Sequence, residues 1–77
     1  REGIYAFENE PLIEILKKME LYYDVRIVVK DTSLFNDTYT GKFRQRDSLD
    51  DVFRVLQQIR RFKIEKDKDR NIITLSK

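Results

Sequence analysis

The pattern of apolar residues in this chain occurs twice at a spacing of 37 residues, with the first copy beginning at position 12 and the second at position 49. In each copy, apolar residues first recur every three to four positions and then every second position. Those are the spacings of one helix face followed by one strand face. The pattern therefore predicts two copies of a helix-then-strand unit that share one core. The first copy comprises Leu12, Ile15, Leu16, Met19, Tyr22, Val25 and Ile27, and the second Leu49, Val52, Phe53, Leu56, Ile59, Phe62 and Ile64.

The composition describes one small domain with few parts for catalysis. The chain has 77 residues, of which 40% are hydrophobic and 39% charged, as is typical of a globular protein. It contains no Cys and no His, so thiol nucleophiles, imidazole bases and the usual zinc ligands are absent. We therefore expect a single domain over 1–77 that is not an enzyme, needs no cofactor or metal, and acts through a surface rather than on a small-molecule substrate.

Local patterns add strands before and after the two repeats. The order β-α-β-β-α-β-β predicts an α+β fold in which two βαβ-type repeats pack two helices against small sheets. In chain order the predicted elements are a strand over 3–7, a helix over 11–22, a strand over 25–29, a loop over 31–37, a strand over 38–44, a helix over 49–59, a strand beginning at 62, a turn over 67–70 and a last strand through 73–75.

Particular residues mark where these elements begin and bend. Asn9 is a cap-like residue before the first helix, and Pro11 suits a first helical turn. Ser48 and Asp51 have the spacing of a capping box at the start of the second helix. Gly41, inside the third strand, indicates a bulge or a close backbone approach.

One group of oxygen ligands copies the first half of a calcium loop. Asp67, Asp69 and Asn71 alternate as in an EF-hand, but Ile72 stands where that loop needs glycine. The chain also ends before a twelfth-position glutamate could occur. A plain hairpin turn is the better interpretation of these residues.

A second acidic group lies at the start of the second helix. Asp47, Asp50 and Asp51 could form an acid–base cluster, but general acid–base catalysis needs carboxyl groups with shifted pKa values in a cleft. Helix capping and the helix dipole already explain acids in a first turn. We therefore expect these residues to be structural.

A basic and aromatic strand raises the alternative of a small α+β nucleic-acid-binding module. Lys42, Arg44 and Arg46 are interleaved with Tyr39 and Phe43, as on strands that grip phosphates and stack bases. The rings, however, alternate with Lys42 and Arg44 and so belong on the opposite face, in the core. The net charge of +2 is also too nearly balanced to indicate nucleic acid by itself.

A protein partner could bind at a strand edge or at an apolar loop residue. An unpaired strand edge accepts a strand from another chain through backbone hydrogen bonds. Leu34 and Phe35 lie in a polar loop, either tucked beneath the domain or offered to a partner. The candidate partner-binding residues are Phe35, Thr40, Lys42 and Arg44.

Four segments together carry a resemblance that covers essentially the whole chain. They are 7–12 (FENEPL) running into a helix, 39–43 (YTGKF), 48–52 (SLDDV) and 71–75 (NIITL). In these segments the chain resembles the C-terminal periplasmic domain of FecR-type anti-sigma regulators. Such domains look like the short domain at the N-termini of secretins and TonB-dependent transducers, a pair of βαβ units.

The resemblance implies a signalling role carried out by protein contacts. The domain would bind the N-terminal signalling domain of a TonB-dependent outer-membrane receptor, on the periplasmic side of an inner-membrane protein. A preceding segment would cross the membrane and hold an extracytoplasmic-function sigma factor in the cytoplasm, so that receptor loading controls transcription. Because the chain starts at Arg1 without an initiator methionine, we expect it to be a fragment of that longer protein.

Overall fold

The computed structural model describes residues 3–77 and has the predicted order of helices and strands. The α+β class and both repeats of the β-α-β-β-α-β-β order are confirmed. The elements are β1 (Ile4–Pro11), α1 (Leu12–Tyr23), β2 (Arg26–Val29), a 3₁₀ helix (Thr32–Asn36), β3 (Thr38–Arg44), α2 (Leu49–Ile59), β4 (Lys63–Asp67) and β5 (Ile72–Ser76).

The strands form two separate small sheets. Strands β1 and β3, which open the two repeats, pair antiparallel in a two-stranded sheet. Strands β2 and β4, which close the repeats, flank β5 in a three-stranded sheet of order β2-β5-β4. The β2–β5 pair is parallel and β4–β5 is the expected antiparallel hairpin. Strand β5 therefore joins the ends of the two repeats.

One core joins the two helices and the two sheets. It contains most of the repeat positions together with inward residues of the strands. The buried residues are Phe7, Leu12, Ile15, Leu16, Met19, Leu34, Tyr39, Phe43, Val52, Phe53, Leu56, Phe62, Ile73 and Leu75. Four further repeat positions are partly buried and pack against this core, namely Val25, Ile27, Leu49 and Ile64. Tyr22 and Ile59, which occupy equivalent repeat positions, are 42% and 36% exposed. Each of these two residues lies ten positions after the first residue of its repeat. Around the helix axis it therefore points roughly 80° away from that first residue, which places it at the border of the buried face.

The starts of the two helices differ. At α2, the Ser48 hydroxyl accepts the N–H of Asp51 at 3.1 Å, which confirms one half of the predicted capping box. At α1, Pro11 itself is the N-cap residue and no side chain caps the helix. The prediction of Asn9 as a cap was therefore wrong, because Asn9 lies two residues earlier, within β1.

A β-bulge in β1 explains the conformation of Asn9. Between Phe7 and Glu10 the register shifts, so that β1 carries one more residue than β3. Asn9 has φ of 48°, a left-handed conformation that asparagine tolerates better than most residues, and its N–H donates to Oγ1 of Thr40 at 3.1 Å. The bulge is thus in β1, while Gly41 of β3 provides the predicted close approach, to the ring of Phe7.

The segment predicted as a loop over 31–37 contains the 3₁₀ helix. The Asp31 carboxylate accepts the N–H and the hydroxyl of Ser33, at 3.0 Å and 2.7 Å, and so caps this helix. Those hydrogen bonds from Ser33 also lower the pKa of Asp31. Leu34 is fully buried, whereas Phe35 is half-buried.

The residues of the incomplete calcium pattern form the hairpin turn between β4 and β5. Oδ1 of Asp67 accepts the backbone N–H groups of Asp69 and Arg70 at 3.1 Å and 3.2 Å, which is the hydrogen bonding of an Asx turn. Asn71, at φ of 56°, donates from its side-chain amide to the Asp24 carbonyl at 2.6 Å. The Asp67 carboxylate therefore serves the hairpin turn that the sequence indicated, and the Asn71 amide links the end of the turn to the C-cap residue of α1.

Candidate functional site at the edge of strand β3

The hydrogen-bond register of β3 shows which of its residues face away from β1. The N–H of Gln45 donates to the Gly3 carbonyl at one end, and the N–H of Leu12 donates to the Asp37 carbonyl at the other. Because facing and outward residues alternate in an antiparallel pair, Tyr39, Gly41 and Phe43 turn their backbone groups toward β1. The backbone N–H and C=O groups that point away from β1 belong to Thr38, Thr40, Lys42 and Arg44.

Asp47 closes one end of this outward edge. Its carboxylate accepts the N–H of Arg44 at 2.8 Å, and its own N–H donates to the Arg44 carbonyl at 2.9 Å. Both outward backbone groups of Arg44 are therefore occupied. The part of the β3 edge that has no strand partner within residues 3–77 runs from Thr38 to Lys42.

The candidate side chains differ in their solvent exposure and in the hydrogen bonds that they already make. Lys42 is exposed, and Arg44 is half-buried at the closed end of the edge. The Thr40 hydroxyl is held by the N–H of Asn9, although the residue itself is exposed. Phe35 lies outside β3, on the 3₁₀ helix. The structure thus places Thr40, Lys42 and Arg44 on one edge and Phe35 on a different element.

A shallow groove of about 170 Å³ lies beside the β3 edge, between β3 and α2. Its walls are mostly apolar. The lining residues are Phe7, Lys42, Phe43, Asp47, Asp51, Val52, Val55 and Leu56. Val55 is 42% exposed, so an apolar side chain on the surface of α2 faces the space next to the free edge.

The groove has an acidic end formed by Asp47 and Asp51. The hydroxyl of Tyr23 donates to the backbone carbonyl of Asp47 at 2.8 Å. Burial raises the pKa of Tyr23, and the charges of Asp47 and Asp51 raise it further. Arg54 contacts Asp51 at 3.3 Å, in a pair that is largely exposed to solvent and therefore weak. The groove lining therefore carries two carboxylates, Asp47 and Asp51, against one cation, Lys42.

Asp50, the third acidic residue at the start of α2, has a structural role. It forms an ion pair with Lys66 of β4, and the hydrogen bond and charge of that lysine lower the pKa of Asp50. It therefore links α2 to the three-stranded sheet and does not line the groove.

Three other strand edges also lack a strand partner within residues 3–77, namely the outer edges of β1, β2 and β4. The β4 edge carries Lys63, Glu65 and Lys66, and charged side chains discourage strand addition. The β1 edge is interrupted by its bulge and ends at Pro11, which has no N–H. Lys42 and Phe43 of β3 line the apolar groove beside α2, together with Phe7 of β1, whose own edge the bulge interrupts.

The aromatic residues of β3 are not available to stack nucleic-acid bases. Tyr39 and Phe43 are only 1% and 3% exposed, as their alternation with Lys42 and Arg44 predicted. A base-stacking surface needs exposed rings. The basic side chains of this strand therefore lack the aromatic partners that the nucleic-acid alternative requires.

Sequence reasoning missed the contribution of α2 to this site. Val55 falls outside the apolar repeat, because the corresponding position of the first copy is Lys18. An apolar residue in the second copy where the first has a lysine was a signal of an apolar surface on α2. In the structure, Lys18 instead lies over the ring of Tyr5, 5.9 Å from its centroid.

Comparison with known proteins finds the same fold in two solved structures. Two crystal structures of a candidate anti-sigma factor from Parabacteroides distasonis ATCC 8503, at 1.65 Å and 2.50 Å resolution, share the fold with TM-scores of 0.85 and 0.83. Each is 24% identical and is matched over 97% of this chain but only 34% of its own length, so the chain spans about a third of that protein. No curated protein matches significantly.

Neither helix within residues 3–77 combines the length and the apolarity that crossing a membrane requires.

The model of the C-terminal domain of FecR matches residues 4–74, which is nearly the whole chain. The chain therefore belongs to the FecR C-terminal family.

Proposed function

We propose that this chain is the periplasmic signalling domain of a FecR-type anti-sigma regulator. In this role it binds the N-terminal signalling domain of a TonB-dependent outer-membrane receptor and has no enzymatic activity. The binding state is relayed through a membrane-spanning segment to a cytoplasmic segment that holds an extracytoplasmic-function sigma factor. Membership of the FecR C-terminal family supports this proposal, as does the fold shared with a candidate anti-sigma factor.

The free edge of β3 supports assigning the binding of the receptor domain to particular residues. The outward backbone groups of Thr40 and Lys42 can pair with a strand of the receptor domain, and Asp47 ends the edge at Arg44. Lys42 is exposed beside this edge. Phe35 is proposed as an apolar anchor on the adjoining 3₁₀ helix, where it is half-buried.

Calorimetric titration with the signalling domain of a TonB-dependent receptor from the same genome tests the proposal, with single-stranded RNA as the control ligand. Saturable binding of the receptor domain without an RNA response is the expected result. Binding of RNA alone, weakening steeply with salt, would favour the nucleic-acid alternative and overturn the proposal. A lack of response to the receptor domain would also contradict it.

Proline substitutions then test the edge. Thr40→Pro and Lys42→Pro each remove an outward N–H that is not bonded to β1, so the two-stranded sheet is retained and receptor binding is lost. Thr40→Val is the matched control, because it removes the hydroxyl that accepts from Asn9 but keeps the outward N–H. If both proline variants fold and bind as the parent chain does, the edge proposal is wrong.

A further inference from the structure

The β3 edge and the apolar groove beside it are parts of one surface. A strand added to the edge continues the two-stranded sheet beyond β3. Its inward side chains lie on the same side as Tyr39 and Phe43, the inward residues of β3. The groove between β3 and α2 occupies that position, and both Phe43 and Lys42 of β3 line it. An added strand would therefore direct an inward side chain into the groove.

The size of the groove limits what it can hold. At about 170 Å³ it is smaller than the roughly 300–1,000 Å³ typical of small-molecule sites. A dry cavity of about 150 Å³ lined by apolar side chains holds a benzene molecule. The groove therefore matches one branched aliphatic or aromatic side chain. Val52, Val55 and Leu56 of α2 provide the apolar contacts for it.

The charged residues of the groove favour a basic side chain on the added strand. Two carboxylates, those of Asp47 and Asp51, line the groove against one cation, Lys42, and the exposed Arg54 offsets Asp51 only weakly. Alternate residues of a strand project on the same side, so the inward neighbour of the apolar residue lies two positions along. A basic side chain at that position complements the acidic end.

We propose that this groove recognises an extended strand that carries an apolar residue and, two positions away, a lysine or arginine. The inference rests on the proposed function, because it assigns this strand to the receptor's signalling domain. It adds the residues that determine which strand is accepted: Val52, Val55 and Leu56 for the apolar side chain, and Asp47 and Asp51 for the basic one.

Substitutions in the groove test the inference against the receptor domain. Val55→Lys fills the apolar space with a charged chain, yet lies four residues after Asp51, a spacing that favours the helix. We expect it to weaken receptor binding by about tenfold or more, as loss of a buried contact residue does. Val28→Lys is the matched control, since Val28 is 38% exposed on β2, outside the groove, and binding should not change.

The charge is tested separately with Asp51→Asn. The cap bond of α2 uses the backbone N–H of Asp51, so this substitution leaves the bond in place. Affinity should fall by roughly twofold to fivefold at low salt, which is the range for an exposed ion pair, and the difference should shrink as salt is added. Unchanged affinity for both Val55→Lys and Asp51→Asn, with Thr40→Pro still abolishing binding, would overturn the groove inference and leave the edge proposal standing.

A peptide experiment separates the groove from the choice of receptor. The probe is a capped peptide of about seven residues, threonine-rich, with leucine at its centre and arginine two positions later. Its control has glutamate in place of arginine. We expect the methyl NMR signals of Val52 and Val55 to shift with the arginine peptide, and about tenfold less affinity for the glutamate peptide.

The two failures are therefore distinguishable. Shifts at Val52 and Val55 with the arginine peptide, without binding of the receptor domain, would support the groove and contradict the proposed partner. Absence of these shifts, or equal binding of the two peptides, would overturn the inference about the groove whatever the receptor domain does.

Discussion

The ring of Phe7 lies against the backbone of Gly41 on the neighbouring strand. A Cβ atom built on Gly41 would come within 3.2 Å of the Cζ atom of that ring, closer than ordinary van der Waals contact. Phe7 is held in place by the rings of Tyr5 and Phe43, whose centroids are 5.8 Å and 6.5 Å away. Gly41 is thus a packing requirement of the sheet that carries the candidate site.

We predict that side chains at Gly41 destabilise the protein in proportion to their size. Gly41→Ala should lower the free energy of unfolding by about 1 kcal/mol and Gly41→Val by roughly 1–3 kcal/mol, because the buried ring has little room to move. Urea denaturation followed by circular dichroism measures both. Combining Gly41→Ala with Phe7→Leu should cost less than the sum of the two single changes, since the smaller side chain leaves space for the added methyl group.

Gly3→Ala is the control for this prediction. Its Cβ would meet the Tyr22 hydroxyl at 3.3 Å and the side-chain amide oxygen of Gln45 at 3.4 Å, both at the ends of flexible side chains. Little change in stability is expected. If Gly3→Ala proves as harmful as Gly41→Ala, the contact with Phe7 is not the cause.

The hydroxyl of Ser48 should contribute measurably to stability through the start of α2. Ser48→Ala removes the acceptor of the Asp51 N–H and is expected to cost about 1 kcal/mol in the free energy of unfolding, whereas Ser48→Asp retains an acceptor and should cost less. Denaturation of the three proteins at neutral pH gives the comparison. Equal stability of Ser48→Ala and the parent chain would show that the cap is not needed.

The two repeats made the secondary structure predictable. The period of the apolar residues and the Ser48 cap gave α2 its observed bounds, and α1 differs from its predicted range by one residue at each end. Alternation placed Tyr39 and Phe43 in the core and Lys42 on the surface. These features depend on neighbours in the sequence, which is why spacing alone predicts them.

Features that depend on distant residues were not predictable in the same way. The left-handed conformation of Asn9 follows from the bulge opposite Thr40, and the closure of the β3 edge depends on a hydrogen bond from Arg44 to Asp47. The groove combines Val55 with Phe7, residues 48 positions apart in the chain. Only the folded arrangement of β3 against α2 brings such groups together.

The repeat also predicts where α2 tolerates truncation. Leu56 is fully buried, and Leu56→Ala should lower the free energy of unfolding by roughly 2–5 kcal/mol. Ile59 belongs to the same apolar pattern but is partly exposed, so Ile59→Ala should cost less than about 1 kcal/mol. Chemical denaturation distinguishes the two. Similar losses for both would mean that Ile59 is covered in solution.

Two tyrosines should make the protein lose stability in alkali. Burial, a hydrogen bond to Glu10 and the charge of Glu10 raise the pKa of Tyr5 to about 12, and burial beside Asp37 raises the pKa of Tyr39 to about 12. The ordinary value is 10.0, so the folded state keeps these protons after the unfolded state has released them. The resulting stability is fully present below pH 10 and falls as the pH rises toward 12.

Phenylalanine substitutions separate these two residues. Within residues 3–77 the buried hydroxyl of Tyr39 has no hydrogen-bond partner, whereas that of Tyr5 donates to Glu10. At neutral pH, Tyr39→Phe should therefore leave stability unchanged or raise it, and Tyr5→Phe should cost about 1 kcal/mol. Both variants should lose less stability than the parent chain between about pH 10 and about pH 12, measured by urea denaturation. An unchanged alkaline loss in Tyr39→Phe would show that this phenol ionises as freely in the folded protein as in the unfolded chain.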